Sequence, residues 1–252
     1  MGSRPRNESP EMGKPSAKTR RPAKLEIPVL YEDDAVVVVD KPAGLPAVPI
    51  PGSHTPSAQS VLDAALARNR RRALVVHRID RFSSGILLFA KTERDREVLV
   101  RQFLAHTPVR QYLAVVRGRL EAGEGTLVHY FRRVGMFQTL RAAGDAEAAR
   151  AELRYSVERL LPAATVARVT LVTGLQNQIR AQFAAIGHPV VGDRKYHPPE
   201  SAEPLIARVA LHAAHIEFVH PRSAERVAID CEPPPDVRRL ILALSGPARQ
   251  RR

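Results

Sequence analysis

His77-Arg78-Ile79-Asp80-Arg81-Phe82-Ser83-Ser84-Gly85-Ile86-Leu87-Leu88-Phe89-Ala90-Lys91 sets a carboxylate between two arginines, then a short polar turn with one glycine, then an apolar run. A short apolar run bounded by turn residues reads as a buried strand. Asp80 therefore lies on a loop that feeds such a strand. Arg78 and Arg81 draw an anionic polymer to the same spot. A carboxylate repels phosphate, so binding alone does not account for it there. That tension points to chemistry on a base or a sugar.

Outward from this stretch, the composition limits the partners. The chain has 252 residues, enough for one large domain or two small ones, and a net charge of +13. Residues 1–24 carry +5 of that charge, which leaves +8 for the rest. An excess of this kind suits a polyanionic partner. Cys231 is the one cysteine. No internal disulfide and no cysteine-pair zinc site can form, which fits a reducing, cytoplasmic setting. No apolar run approaches the ~20 residues needed to span a bilayer, and the N-terminus has no apolar signal core. Neither a membrane nor a metal is expected.

Along the chain, residues 1–24 spread Pro5, Pro10, Pro15 and Pro22 among charges and read as a disordered basic tail. Residues 35–39 are a β-branched run, read as a buried strand and broken by Asp40-Lys41-Pro42-Ala43-Gly44. Lys41 there is either a solvated turn residue or a phosphate contact. A helix is expected over 60–70, ending in the basic run Arg68-Asn69-Arg70-Arg71-Arg72, and another over 92–105, opened by Thr92 and Asp95 as a capping pair. Strands are expected over 110–118 and 127–136, then a flexible connector over 144–150. A strand pair follows over 151–160 and 165–172, with Arg154 and Arg168 as candidates for a polyanion-facing surface. Ile179, Phe183 and Ile186 recur at helical spacing, and Gly187 ends that helix. His212 and His215 sit three apart in an expected strand, so their rings should face opposite ways, which argues against zinc. A hairpin over 218–231 and a helix over 236–244, with Val237, Leu240, Ile241 and Leu244 inward, complete a single domain of residues 25–245. Residues 246–252 form a basic tail.

The stretch around Asp80 resembles the first motif of the RluA-type pseudouridine synthases: H-R-L-D, two variable residues, T/S-S-G, then leucines. Tyr112 lies in a strand similar to the second, K/R-x-Y-x-A-x-V-x-G. Thr173-Gly174-Leu175-Gln176-Asn177-Gln178-Ile179-Arg180 resembles the third, T-G-R-x-H-Q-I-R, and Gly187-His188-Pro189-Val190-Val191-Gly192-Asp193 is also family-like. The resemblance implies an α+β fold: a mixed, mainly antiparallel central sheet flanked by helices and loops, with a catalytic cleft. It also implies isomerisation of specific uridines in ribosomal or transfer RNA to pseudouridine. That reaction adds and removes no atom, so no cofactor is expected, and a monomer is the default expectation. Asp80 takes the catalytic role and Arg180 pairs with it. Tyr112 packs on the target uracil and assists proton removal, although by its strand setting alone it reads first as a core tyrosine. Ile179 walls the base pocket, and Arg78 helps fill the gap a flipped base leaves. His77 and Arg81, on the same stretch, are taken as substrate-binding, and Asp193 as structural.

Four departures from the pattern stand out: Ile79 for leucine, Phe82 for a polar residue, and Leu175 and Asn177 for arginine and histidine. Asn177 remains able to cap its helix. Two other functions stay open on the sequence. One is an inactive RNA-binding protein of the same fold. The other is an RNA N-glycosidase, which wants a second carboxylate to activate water, with Asp193 or Glu217 as candidates.

Overall fold

A computed structural model gives the protein's architecture over residues 25–121, 123–197 and 205–246. Both expected tails lie outside the described residues, apart from Gly246. The chain runs β1 (Val29–Glu32), β2 (Val36–Lys41), α1 (Ala58–Leu66), β3 (Leu74–Val75), β4 (Ser84–Ala90), α2 (Glu93–Leu104) and β5 (Val109–Arg117). It continues through β6 (Glu124–Val134), β7 (Phe137–Arg141), β8 (Ala149–Leu160), β9 (Ala164–Leu171), α3 (Gln178–Ala185), β10 (Leu211–Val219), β11 (Arg226–Asp230) and α4 (Pro235–Leu244).

These strands form one α+β sheet in the order β1-β2-β4-β10-β5-β9-β8-β6-β7, with β3 paired to β4 and β11 to β10. The sheet is mixed: β4 and β10 run parallel, and the other described pairings are antiparallel. The two apolar runs lie next to each other inside it. Every residue of β4 is buried. In β2, Val36 and Val38 join one core with Leu88 and Leu99, while Val37 and Val39 join another with Leu62, Leu66 and Phe89. A strand covered on both faces reads as an unbroken apolar run rather than an alternation. α4 sends Val237 and Leu240 into the larger core, with Ile241 and Leu244 packed at its margin.

The parallel crossing of β4 and β10 places the candidate loop. Gly85 pairs with Ala213 at a φ of +103°, and a Cβ there would meet the Ala213 carbonyl oxygen at 2.2 Å. Only glycine fits that approach. Next to it, His212 is fully buried. Its Nε2 lies 3.0 Å from the Cys231 carbonyl, which can only accept, so Nδ1 receives the Ser84 hydroxyl at 3.0 Å. Asp80 sits four residues before Ser84, in a turn closed by Ser83 N–H to the Asp80 carbonyl at 3.1 Å.

Several local expectations need correction. α1 starts at Ala58 because Ser57 caps it reciprocally with Ser60, and it ends at Leu66 by tightening into a 3₁₀ turn over Ala67–Asn69. Arg70 then takes a left-handed conformation, so the basic run is a turn rather than the helix's last residues. The expected connector over 144–150 is shorter, because Ala149 and Arg150 already pair with β6. A bulge between Ala213 and His215 breaks the alternation on which the placement of the two histidines rested. His215 bonds Asp230 instead of sharing a site with His212. Among the described residues no helix is long and apolar enough to cross a membrane, and no cluster of histidine, cysteine and carboxylate side chains could hold a metal ion.

Candidate active site

The Asp80 turn is fastened from below by a lysine. Lys41 is fully buried, and its Nζ donates to the carbonyls of Pro42, Leu45 and Arg81 at 2.9, 2.8 and 3.1 Å. The Arg81 carbonyl also accepts Gly44 N–H at 2.8 Å, and Arg81 Nε returns a bond to the Gly44 carbonyl at 2.9 Å. Both sequence readings of Lys41 are therefore replaced. It is neither solvated nor open to phosphate, because the approach of the Asp80 turn to the end of β2 encloses it in carbonyls. Burial pushes its amine down to about 7, with Arg208 adding to the shift and Asp80 and Asp40 opposing it.

α3 brings the opposing cation. Thr173 and Gln178 build the helix entry: Gln178 Oε1 accepts from the Thr173 hydroxyl and from Leu175 N–H, both at 2.9 Å, and its Nε2 donates to the Glu152 carbonyl at 3.0 Å. Two residues further on, the Arg180 guanidinium spans two carboxylates. Nε and Nη2 form a fork onto Asp193 at 2.7 and 2.8 Å, and Nη1 reaches Asp80 Oδ2 at 3.1 Å. Asp193 is sealed, with 0% of its side chain exposed, whereas Asp80 keeps 21%. Asp193 also accepts N–H bonds from Lys195 and Tyr196. Burial works against the Arg180 charge, but Asp193 and Asp80 outweigh it and raise its pKa. Burial works against Asp193 ionising too, and Arg180 with the two N–H donors outweighs it, so its carboxyl is held below the usual range. Among the described residues, Asp80 Oδ1 takes no hydrogen bond.

Tyr112, on β5, is buried in the same core as Ile79, Ile179 and Phe183. Burial pushes its phenol up to about 12, with Asp80 adding and Arg110 opposing. Arg110 lies two residues before it, with its guanidinium over Phe103 and against Gly174, where a Cβ would come within 2.8 Å of Nη1. The glycine of the third motif thus makes room for the arginine of the second. A small cleft of ≈ 10 Å³ beside Tyr112 is lined by His77, Ile86, Arg110, Ala213 and Ile216, room for one water and not for a base.

Residues 35–185 match the family described as RNA pseudouridylate synthase. Ribosomal large subunit pseudouridine synthase D of Xanthomonas campestris is 37% identical over 239 residues, covering 88% of this chain and 71% of that protein. The dual-specificity RNA pseudouridine synthase RluA of Vibrio cholerae is 33% identical over 227 residues, covering 89% and 91%. The chain belongs to the RNA pseudouridylate synthase family. It is an isomerase that converts uridine in RNA to pseudouridine. Two solved structures, human RNA pseudouridylate synthase domain containing 4 and domain containing 1, share its fold. Their TM-scores are 0.71 and 0.70, at 18% and 21% identity, over 86% and 91% of this chain and 92% and 98% of theirs.

Within this synthase fold the seven sequence candidates separate. Asp80 and Arg180 meet, Tyr112 lies near enough for the Asp80 charge to act on it, and Ile179 is buried in the same core as Tyr112. Arg78 is exposed and has no partner among the described residues. Arg81 turns back onto Gly44, with its guanidinium over the half-exposed Phe82 ring. His77, expected on the substrate, is taken up by the fold. Its ring stacks on Phe103 at 4.6 Å, and its Nε2 accepts Leu88 N–H at 3.1 Å. Burial, with Arg110 adding, pushes it down to about 3, so the ring is neutral and acts as an acceptor. The physical reason lies in β4. One edge pairs with β10 at Ser84 and Gly85 and with the two-residue β3 at Phe89 and Ala90, and the Leu88 N–H falls in the gap. Sequence reasoning missed Lys41 and Gln178 as organising residues and set Asp193 aside as structural. A polar residue set directly before the apolar stripe that Ile179 opens is the signal that could have found the second.

Proposed function

We propose that this synthase acts on large-subunit ribosomal RNA, with Asp80 as the reacting carboxylate and no cofactor. The observation that carries the reading is the division of labour on one guanidinium. Arg180 is anchored by the sealed Asp193 and offers its remaining nitrogen to Asp80 Oδ2, which leaves Oδ1 without a hydrogen-bond partner among the described residues. An oxygen so placed suits attack on the base or sugar, or removal of a sugar proton to start elimination. The glycosidic C–N bond then breaks, the uracil turns, its C5 bonds to C1′ of the sugar, and a proton leaves C5. No atom is gained or lost, so the balance calls for no co-reactant.

In this reading the target uridine leaves its stack to reach Oδ1. Tyr112 and Ile179 supply the apolar wall, and exposed Arg78 stands beside the duplex gap. Tyr112 serves as a stacking face rather than a resident base, since a phenol pushed up to about 12 holds its proton at neutral pH. Phosphates are attracted by exposed arginines, Arg78 on the Asp80 loop and Arg133 near Lys195 among them, which makes affinity salt-dependent. Ribosomal RNA is favoured because relatives from several bacteria are named as large-subunit synthases. A hydrolytic glycosidase is disfavoured: Asp193 has both oxygens committed to Arg180, and Glu217 is paired with Arg226.

The test is to incubate the protein with unmodified large-subunit ribosomal RNA and with transfer RNA, map pseudouridine, and assay free uracil. The reading expects pseudouridine at defined ribosomal uridines and no uracil release. Released uracil, or modification of transfer RNA alone, would overturn it.

A further inference from the structure

Asn177 occupies the position where the related motif carries histidine, and its amide does not cap α3. It adopts a left-handed conformation, φ 55°, and makes no side-chain capping bond. Its two amide atoms look in different directions. Oδ1 accepts Arg180 Nη1 at 2.9 Å, the same nitrogen that reaches Asp80, and Nδ2 donates to the Met136 carbonyl at 3.4 Å. This assignment follows from the partners, since a guanidinium can only donate and a carbonyl can only accept.

Met136 is the tip of the β6–β7 hairpin. The tip is held beside the site by a small set of contacts: Lys195 Nζ also donates to the Met136 carbonyl, and Gln138 N–H donates to the Tyr196 hydroxyl at 2.9 Å. Phe137 meets the Tyr196 ring edge-on at 6.1 Å, and the Arg180 guanidinium lies 5.5 Å from the centre of that same ring. The tip stays open to solvent, with Met136 71% exposed and the Phe137 ring half-exposed against Tyr196, near exposed Arg133. An apolar and cationic tip of this kind suits contact with unstacked bases and phosphates.

We propose that Asn177 is a positioning residue with two arms. Its oxygen seats Arg180 against Asp80, and its amide nitrogen fastens the β6–β7 tip beside that pair. The proposal rests on Asp80 as the reacting carboxylate. The oxygen arm supports the rate, because it removes one of the directions in which Nη1 could swing away from Asp80. The nitrogen arm keeps the tip where an RNA strand entering the site must pass it.

Two variants separate the arms. Asn177→Gly removes both, while glycine adopts the left-handed conformation without strain. Asn177→Asp keeps an oxygen for Arg180 and loses the donor to Met136. At saturating RNA, Asn177→Gly should slow single-turnover pseudouridine formation about tenfold, and Asn177→Asp should stay within about threefold of the parent. Both should speed hydrogen exchange at residues 136–138 by about fivefold or more in the RNA-free protein, with melting temperature little changed. A parent-like rate in Asn177→Gly, or an Asn177→Asp rate as low as that of Asn177→Gly, overturns the oxygen arm. Unchanged exchange in both variants overturns the nitrogen arm. Asp80→Asn is run alongside: retained turnover there would remove the underlying reading of Asp80, whereas a dead Asp80→Asn with a parent-rate Asn177→Gly removes only the role of Asn177.

Discussion

Among the described residues three arginines grip both oxygens of a carboxylate with the same two-pronged geometry, and only one of them does so at the site. Arg180 forks onto Asp193, Arg208 onto Asp236 and Arg222 onto Asp95, each through Nε and Nη2 at 2.7–3.0 Å. They differ in what else the guanidinium does. Arg208 turns Nη1 onto the carbonyls of Val209 and Leu211, and Arg222 shares Nη2 with the Asp34 carbonyl, so both finish on fixed backbone. Arg180 gives Nη1 to a second carboxylate, Asp80, whose side chain keeps 21% exposure. A fork that ends on carbonyls can only hold the fold. A fork that ends on a second carboxylate also fixes where that carboxylate sits. The bidentate Arg–carboxylate unit recurs because its two parallel bonds fix direction as well as charge.

The same substitution at each arginine tests that contrast. Lysine keeps the charge but cannot reach two carboxylates as a planar fork does. Arg180→Lys should lower the single-turnover rate by about 100-fold through misplacement of Asp80. A rate within a few-fold of the parent would mean the fork is not what positions Asp80. Arg208→Lys should leave turnover per folded molecule unchanged and cost about 2 kcal/mol in denaturant unfolding, below the usual loss for a broken buried pair because Asp236 is partly open. Arg222→Lys, at an arginine 45% exposed, should cost under about 1 kcal/mol. Loss of turnover in either of these two would erase the distinction between the site and the frame.

A pH-dependent effect separates His77 from the site. Its ring is pushed down to about 3 in the fold, below the 6.5 of a free histidine. Between those values the unfolded chain binds the extra proton, so stability rises with pH through this window and is lost on acidification. The slope is at most about 1.4 kcal/mol per pH unit. In His77→Gln, which keeps an acceptor for Leu88 N–H, denaturation midpoints measured from pH 4 to 7 should flatten. An unchanged slope would show that His77 is not the group responsible.

How much of this could be read from the chain depends on where each residue finds its partners. Residues 35–39 and 86–90 are legible because a strand buried on both faces leaves an uninterrupted apolar run. The start of α1 was misplaced because Ser57 and Ser60 cap each other in a stretch that reads as loop. Asp80 and Arg180 are legible as candidates only through their motifs; their 3.1 Å contact joins positions a hundred residues apart, which no local periodicity encodes. Lys41 was misread for the same reason in reverse. A lysine before proline in a polar turn looks solvated, and the Arg81 carbonyl that encloses it arrives from a different loop. Asn177 was expected to cap a helix from its type and position, yet its left-handed backbone aims the amide at Arg180 and Met136 instead.

The most direct test of the account removes one charge and leaves the shape. Asp80→Asn retains an oxygen to accept from Arg180, with Asp193 still anchoring that arginine. Single-turnover pseudouridine formation and RNA affinity should be measured on the same ribosomal substrate. The account predicts no detectable isomerisation with affinity preserved within about threefold, since the phosphate-binding cations are untouched. Pseudouridine formed at a rate near that of the parent protein would contradict it.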